Sequence, residues 1–229
     1  MNDSAVMGVG GSVTSFDDLT PVRMVRENIQ VDYAKRHVTT EFVVKNTGET
    51  TLVTMGFPEE GFGDVQAPEG KSKSWFEAFK SWVDGKPIQV SLKRAEGDDM
   101  MYRQWWVKQV DFAHGQTRKV RNAYVTRFSS STNMDKGIYY ILGSGRPWAG
   151  KIGNATIQFE MSGLKRGTIY FASPKPTAKV GQSLIWKYKN FEPEEDMRIH
   201  VRHIVPDPVM VPQSPGSVKG FDGESKYVR

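Results

Sequence analysis

Side-chain polarity in this chain switches at nearly every residue, and a period of two kept up over most of the length restricts the folds open to it. Val38, Phe42 and Val44 alternate with Thr39, Glu41 and Lys45, and Ile88, Val90 and Leu92 alternate with Gln89, Ser91 and Lys93. A strand points successive side chains to opposite faces, so each such stretch buries one face of a sheet and wets the other. Turn signals recur at short intervals: Asn46-Thr47-Gly48, Asp84-Gly85, His114-Gly115 and Lys165-Arg166-Gly167. Asp84-Gly85 is a strong hairpin signal, because a type I′ turn needs positive φ at both central residues. Only residues 72–82, with Trp75, Phe76 and Phe79, permit a helical stripe, and a bent strand explains them equally well. The long helical segments that an α/β fold requires between strands are missing. The expectation is an all-β antiparallel sandwich, immunoglobulin-like or jelly-roll-like, built as two packed subdomains.

The 229 residues suffice for one large domain or two small ones. The polar stretch Ser129-Ser130-Ser131-Thr132-Asn133 is the best internal boundary, giving subdomains over 20–130 and 131–206. Residues 1–19, with Gly8, Gly10, Gly11 and Ser12 among small side chains, read as a flexible Gly-rich arm. Residues 207–229 read as a Pro- and Gly-rich tail or linker. No run approaches the roughly 18 apolar residues of a spanning helix, so no transmembrane segment is expected. The small-residue start favours a mature exported chain over a cytosolic one, with an extracellular or cell-envelope location.

Catalytic chemistry finds little support. The absence of Cys removes disulfides, thiolate-ligated metals and thiol nucleophiles together. Gly70-Lys71-Ser72 has Val65 where a phosphate loop needs its first Gly, and Gly8-Val9-Gly10 has Val13 where a dinucleotide fingerprint needs its third. There is no Gly-x-Ser-x-Gly elbow. His200 and His203 project to opposite faces of one strand, which excludes them as a ligand pair, and His203 shares the apolar face of Ile199 and Val201. The acidic pairs Glu59-Glu60 and Asp98-Asp99, beside Gly or Pro, read as solvated turn residues. No catalytic residue, metal or cofactor is expected; a hydrolase is the least favoured reading.

Binding features are stronger. Lys+Arg 31 against Asp+Glu 26 gives a formal net charge of +5, a bias toward anionic partners. If 184–188 pairs with 199–203 across the acidic loop 192–196, the apolar set fixes the register. Lys187, Lys189, Arg198, His200 and Arg202 then share the other face as a basic strip. No nucleic-acid reader motif accompanies it, so nucleic acid is not an expected partner. Trp105 and Trp106 are adjacent on one strand, so one of them faces outward. Trp148, beside Arg146 in a Gly-rich loop, serves either as a sugar-stacking platform or as a plug folded back into the sandwich. Val6, Met7, Val9 and Val13 form a candidate self-association arm that would lie along a neighbour's sheet edge.

Several strings carry a resemblance. Val22-Arg23-Met24-Val25, Phe42-Val43-Val44-Lys45-Asn46-Thr47-Gly48, Met55-Gly56-Phe57-Pro58, Trp82-Val83-Asp84-Gly85-Lys86 and Asn190-Phe191-Glu192-Pro193-Glu194-Glu195-Asp196 stand in order. Together with Tyr140-Ile141-Leu142, Gly145 and Trp148, they resemble a bacterial exported β-rich domain family of unknown function, over about residues 20–205. The resemblance implies secretion, β-rich folding and attachment to further extracellular modules. The expected function is a non-enzymatic structural or interaction module of the cell envelope or an extracellular assembly, self-associating through its termini as a homo-oligomer or binding other extracellular proteins. The alternative is a carbohydrate-binding module, with Trp148, Trp105, Trp106 and Arg146 contacting an acidic polysaccharide.

Overall fold

The computed structural model describes residues 7–16, 20–62, 74–94, 101–130, 135–204 and 225–228. In chain order the strands are β1 (Met7–Gly11), β2 (Thr14–Ser15), β3 (Val22–Asp32), β4 (His37–Asn46), β5 (Thr51–Phe62), β6 (Glu77–Val83), β7 (Lys86–Pro87), β8 (Ser91–Arg94) and β9 (Met101–Phe112). They continue as β10 (Thr117–Val125), β11 (Ser129–Ser130), β12 (Lys136–Ile141), β13 (Ile152–Glu160), β14 (Ile169–Ser173), β15 (Ala178–Val180), β16 (Ser183–Phe191), β17 (Arg198–Ile204) and β18 (Ser225–Val228). A 3-10 turn at Gly143–Gly145 follows β12, and no helix among the described residues is long and apolar enough to cross a membrane.

The strands form two sheets packed face to face. Sheet A runs β18, β14, β17, β12, β1, β5, β9, β8, with β11 on β12 and β2 on β5. Sheet B runs β15, β16, β13, β3, β4, β10, β6, β7. The alternation read from the sequence is kept: β4 buries every second residue, and β3 does so on either side of a bulge between Met24 and Arg26. The inner faces meet in one contiguous core, with Met55, Phe57, Val110, Ile199 and Val201 from sheet A against Phe42, Val44, Ile157, Phe159 and Trp186 from sheet B. Each of these large apolar side chains contributes about 1.5–3 kcal/mol by leaving water. The fold is thus an all-β sandwich. Two pairings, β1 with β12 and β3 with β13, are parallel.

The two halves of the chain do not form separate sandwiches. β13 lies against β3 from Asn154–Arg26 to Glu160–Asp32, and β12 joins β5 through β1. Strands from 20–130 and 131–206 therefore share both sheets and one core. Polar composition marks a connection at 129–133, but composition does not report which edges pair across it.

The turn signals are real, yet three of the four serve a different connection. Asp84 (φ 50°) and Gly85 (φ 79°) make the expected reversal, pairing Trp82 with Pro87 and Val83 with Lys86. That hairpin ends at once, and β8 crosses to sheet A beside β9. The turns after β4, β9 and β13 each carry the chain from one sheet to the other. Of the stretch 72–82, the described residues take the strand reading from Glu77 onward, with β6 bent at Ala78 (φ 54°).

The N-terminal segment departs most from expectation. Rather than a loose arm, Met7–Gly11 is a strand in the middle of sheet A, with Met7 opposite Phe62 and Val9 opposite both Glu60 and Tyr139. Glycine makes this passage possible. A β-carbon on Gly10 would press on the Tyr124 hydroxyl and lie 2.9 Å from the Phe76 ring. The backbone of Met7 is paired with β5, that of Val9 is paired with both β5 and β12, and Val13 is fully buried, so this stretch is not an arm free to reach a neighbour. Val6 lies outside the described residues, as do 207–224 of the expected tail. Ser225–Val228 pairs with β14, again within the chain.

Candidate functional site

The site is built where a ladder lapses. β1 and β2 both run antiparallel to β5, but pairing stops between Gly10, opposite Glu59, and Thr14, opposite Gly56. Pro58 falls opposite this lapse, which is how a residue without an N–H is accommodated inside a long strand. Beside it, β5, β9, the start of β17 and the 143–145 turn enclose a cleft of about 180 Å3. Its walls are Pro58 and Glu60 from β5, Arg103 and Trp105 from β9, Arg198 from β17, and Ser144, with Thr14 and Glu195 at the margin.

The charge arrangement is specific. Arg103 Nε lies 2.6 Å from Glu60 Oε1, and Arg198 Nη2 lies 3.4 Å from Glu60 Oε2. The Glu60 side chain is 6% exposed, Arg198 28% and Arg103 45%, so the carboxylate is the buried member and the guanidinium groups face the opening. Two guanidinium groups thus converge on one buried carboxylate. The nearby Glu195 carboxylate is taken by Arg146 at 3.2 Å. Trp105 alternates onto the same face as Arg103 and is braced edge-on by Phe16, with ring centroids 5.4 Å apart. Lys93 Nζ sits 5.0 Å above that Phe16 ring. The result is a half-buried indole next to a guanidinium fork suited to a planar anion.

Two depressions are larger, one of about 380 Å3 lined by Gln89, Val90 and Lys108 and one of about 250 Å3 lined by Gln30, Asp32 and Glu160. Neither combines an aromatic ring of Phe, Tyr or Trp with a positive charge.

The residues singled out from the sequence are distributed as follows. Trp105 and Arg198 line the cleft, and Arg146 reaches its margin through Glu195. Trp106 points inward, donates to Glu59 at 2.9 Å and stacks on Phe79 at 4.5 Å. Trp148 is the plug rather than a platform: it is 3% exposed, and its indole N–H donates to the Val13 carbonyl at 2.7 Å. Trp148 is thus closed to a ligand, and Trp106 gives one ring face to Phe79. The basic strip does not exist as one surface, because β16 lies in sheet B and β17 in sheet A. Their apolar faces meet across the core, so Lys187 and Lys189 belong to one side of the molecule and Arg198, His200 and Arg202 to the other. Within the second group, Arg202 pairs with Asp135 at 2.7 Å and His200 stacks on Tyr139 at 5.1 Å. His203 is buried against Tyr33 at 2.8 Å, and burial, with the Lys136 charge, holds its imidazole below the usual range.

Glu59, Glu60 and Arg103 were not foreseen. Pro58 and Gly61 make the acidic pair resemble a turn, yet β5 runs through both. The signal was the unbroken face Val53, Met55, Phe57, Glu59, which carries Glu59 into the interior. There it accepts from Trp75 N at 2.6 Å, Ser74 Oγ at 2.7 Å, Gln104 Nε2 at 2.8 Å and Trp106 Nε1, tying the start of β6 to β5 and β9.

Two buried ionisable groups stand behind the cleft wall and beyond it. Glu27 Oε1 accepts from Ser12 Oγ and from the Tyr140 hydroxyl at 3.2 Å, while Oε2 has no partner. Burial raises its pKa to about 7 against the opposing pull of those two hydrogen bonds. Lys108 Nζ donates to Asn122 Oδ1 at 3.2 Å in a ladder with Ser81 and Thr40, and burial pushes it down to about 7.

No protein-family model matches this chain, and no curated protein does. Nineteen chains among solved structures match. One is the crystal structure of a Legionella pneumophila protein called a "putative nutrient binding protein", with a TM-score of 0.69 and 18% sequence identity over 87% of this chain and 72% of that one. At this identity the likeness shows the fold.

Proposed function

We propose that this chain is an exported, non-enzymatic interaction module that binds an acidic sugar unit in the cleft between β5, β9 and β17. The observation that carries the reading is the pair Arg103 and Arg198 on the single carboxylate of Glu60, beside the braced indole of Trp105. A uronic acid presents an apolar ring face to an indole and a carboxylate to a guanidinium fork, which is what these two walls offer. Support comes from the resemblance to an exported β-rich family and from the nutrient-binding name of the structural neighbour. The cell envelope or an extracellular assembly is the setting in which such a ligand would be met. Terminal strands paired inside sheet A weigh against self-association through free ends.

The test is calorimetric titration with digalacturonate and with its neutral counterpart, digalactose. Digalacturonate should bind and digalactose should bind at least tenfold more weakly; Trp105→Ala and Arg103→Ala should each cost tenfold or more, about 1.4 kcal/mol. Lys187→Ala, on the other sheet, should change nothing. Equal affinity for the two sugars, or an unaltered constant for both cleft variants, refutes the assignment.

A further inference from the structure

We propose that Glu27 and Ser12 form a proton-operated latch on the segment that joins β1 to β2 and, through that segment, on the wall of the cleft. The latch itself stands on geometry independent of the ligand; its effect on the cleft rests on the binding reading above.

Ser12 and Val13 are held from four directions. Ser12 Oγ donates inward to Glu27; Ser12 N donates to the Ile141 carbonyl at 2.8 Å; Ser144 Oγ donates to the Ser12 carbonyl at 2.7 Å; and Trp148 Nε1 donates to Val13 O. Ile141, Ser144 and Thr14, on either side of these bonds, line the cleft. One residue therefore connects the buried carboxyl to the binding wall.

The surroundings of Glu27 are neutral. Its ladder neighbours are Phe42 on β4 and Ala155 on β13. Tyr140 faces it from β12, with Tyr124 of β10 acting on Tyr140, and burial holds both phenols well above their usual range. Ser12 faces it from the β1–β2 junction, and among the described residues no charged side chain compensates it. Protonated, the group is an acceptable buried acid. Ionised, it carries a charge with Oε2 unpartnered, which a dry interior penalises heavily. Phe42 and Ala155 are locked in ladders, whereas Ser12 and Val13 are not in one, so lifting this segment is the shortest way to give the carboxylate water.

The size of the effect follows from linkage. A rise from 4.5 to about 7 means the closed form binds the proton more tightly, so closure is favoured below pH 4.5 and is progressively lost as pH rises through about 7. The ceiling is about 300-fold, and between pH 5 and pH 8 the opening equilibrium should shift by about 70-fold.

The experiment is hydrogen exchange by NMR on the ligand-free chain at pH 5–8, read at the Ser12 amide and the Trp148 indole and corrected for intrinsic rates. Protection should fall about 70-fold across this window in the wild type and stay flat in Glu27→Gln; equal slopes in both overturn the latch. Ser12→Ala removes a bond that favours the ionised form, so its transition should move to higher pH even if the Gln variant fails to fold. An unmoved midpoint also overturns the latch. Digalacturonate titrated at the same pH values decides the coupling: affinity falling in step with protection supports it, and flat affinity with falling protection refutes it. A complete lack of digalacturonate binding would sink the ligand assignment alone, because exchange decides the latch without any ligand.

Discussion

Lys108 offers the sharpest test of how this sandwich tolerates charge. It reaches from β9 into the interior, where its amine donates to the neutral Asn122 amide, and burial brings its pKa from 10.5 down to about 7. The unfolded chain therefore holds this proton more tightly than the folded one between pH 7 and 10.5, and stability must rise with pH across that window. Below about 7 both states are protonated, and the full penalty of about 4–5 kcal/mol applies. Lys108→Met keeps the stem and removes the amine. It gives up one hydrogen bond to Asn122, worth about 1 kcal/mol, while Asn122 keeps Ser81 at 2.8 Å. The variant should be more stable than the wild type by about 3–4 kcal/mol at pH 6 and by about 1 kcal/mol at pH 9. Urea unfolding of both proteins at several pH values measures this directly, and contributions from every other titrating group cancel in the difference. A gap that stays constant within about 0.5 kcal/mol from pH 6 to pH 9 would refute the reasoning.

Other perturbations test separate contacts. Gly10→Val should cost about 3 kcal/mol or more, because its branches meet Tyr124 and Phe76, and thermal melts should record the loss. Trp148→Phe loses the bond to Val13 and leaves a gap at the end of the sandwich; about 2 kcal/mol should disappear in urea titrations. Glu59→Ala strands four donors at once, so a drop of about 4 kcal/mol or failure to accumulate as soluble protein is expected, with Glu195→Ala as the neutral surface control.

Much of this architecture was legible in the chain because alternation is a local property and burial obeys it. Which strands pair is not local. Leu184, Trp186, Ile199 and Val201 present the same period whether β16 and β17 lie side by side or face to face across the core, and the latter holds. His114-Gly115 and Lys165-Arg166-Gly167 reverse the chain equally well within a sheet or between sheets. The Gly-rich beginning misled for a related reason: missing side chains signal looseness in isolation and close approach when Tyr124 and Phe76 wait on the other side. The cleft was half visible. Trp105 and Arg198 could be named, but Glu60 hid behind Pro58 and Gly61, and Arg103 acquires meaning only from β9 lying beside β5.

The seat of β1 has a bearing on biogenesis. Met7–Gly11 bridges β5 to Tyr139–Ile141, so the earliest part of this strand's synthesis yields a ribbon whose parallel neighbour is translated far later. Until then the β1 edge that will face β12 has no partner strand, and a bare edge attracts foreign strands. Closing sheet A therefore waits on a strand about 130 residues further along the chain, and that seam is the one a maturing molecule has to protect.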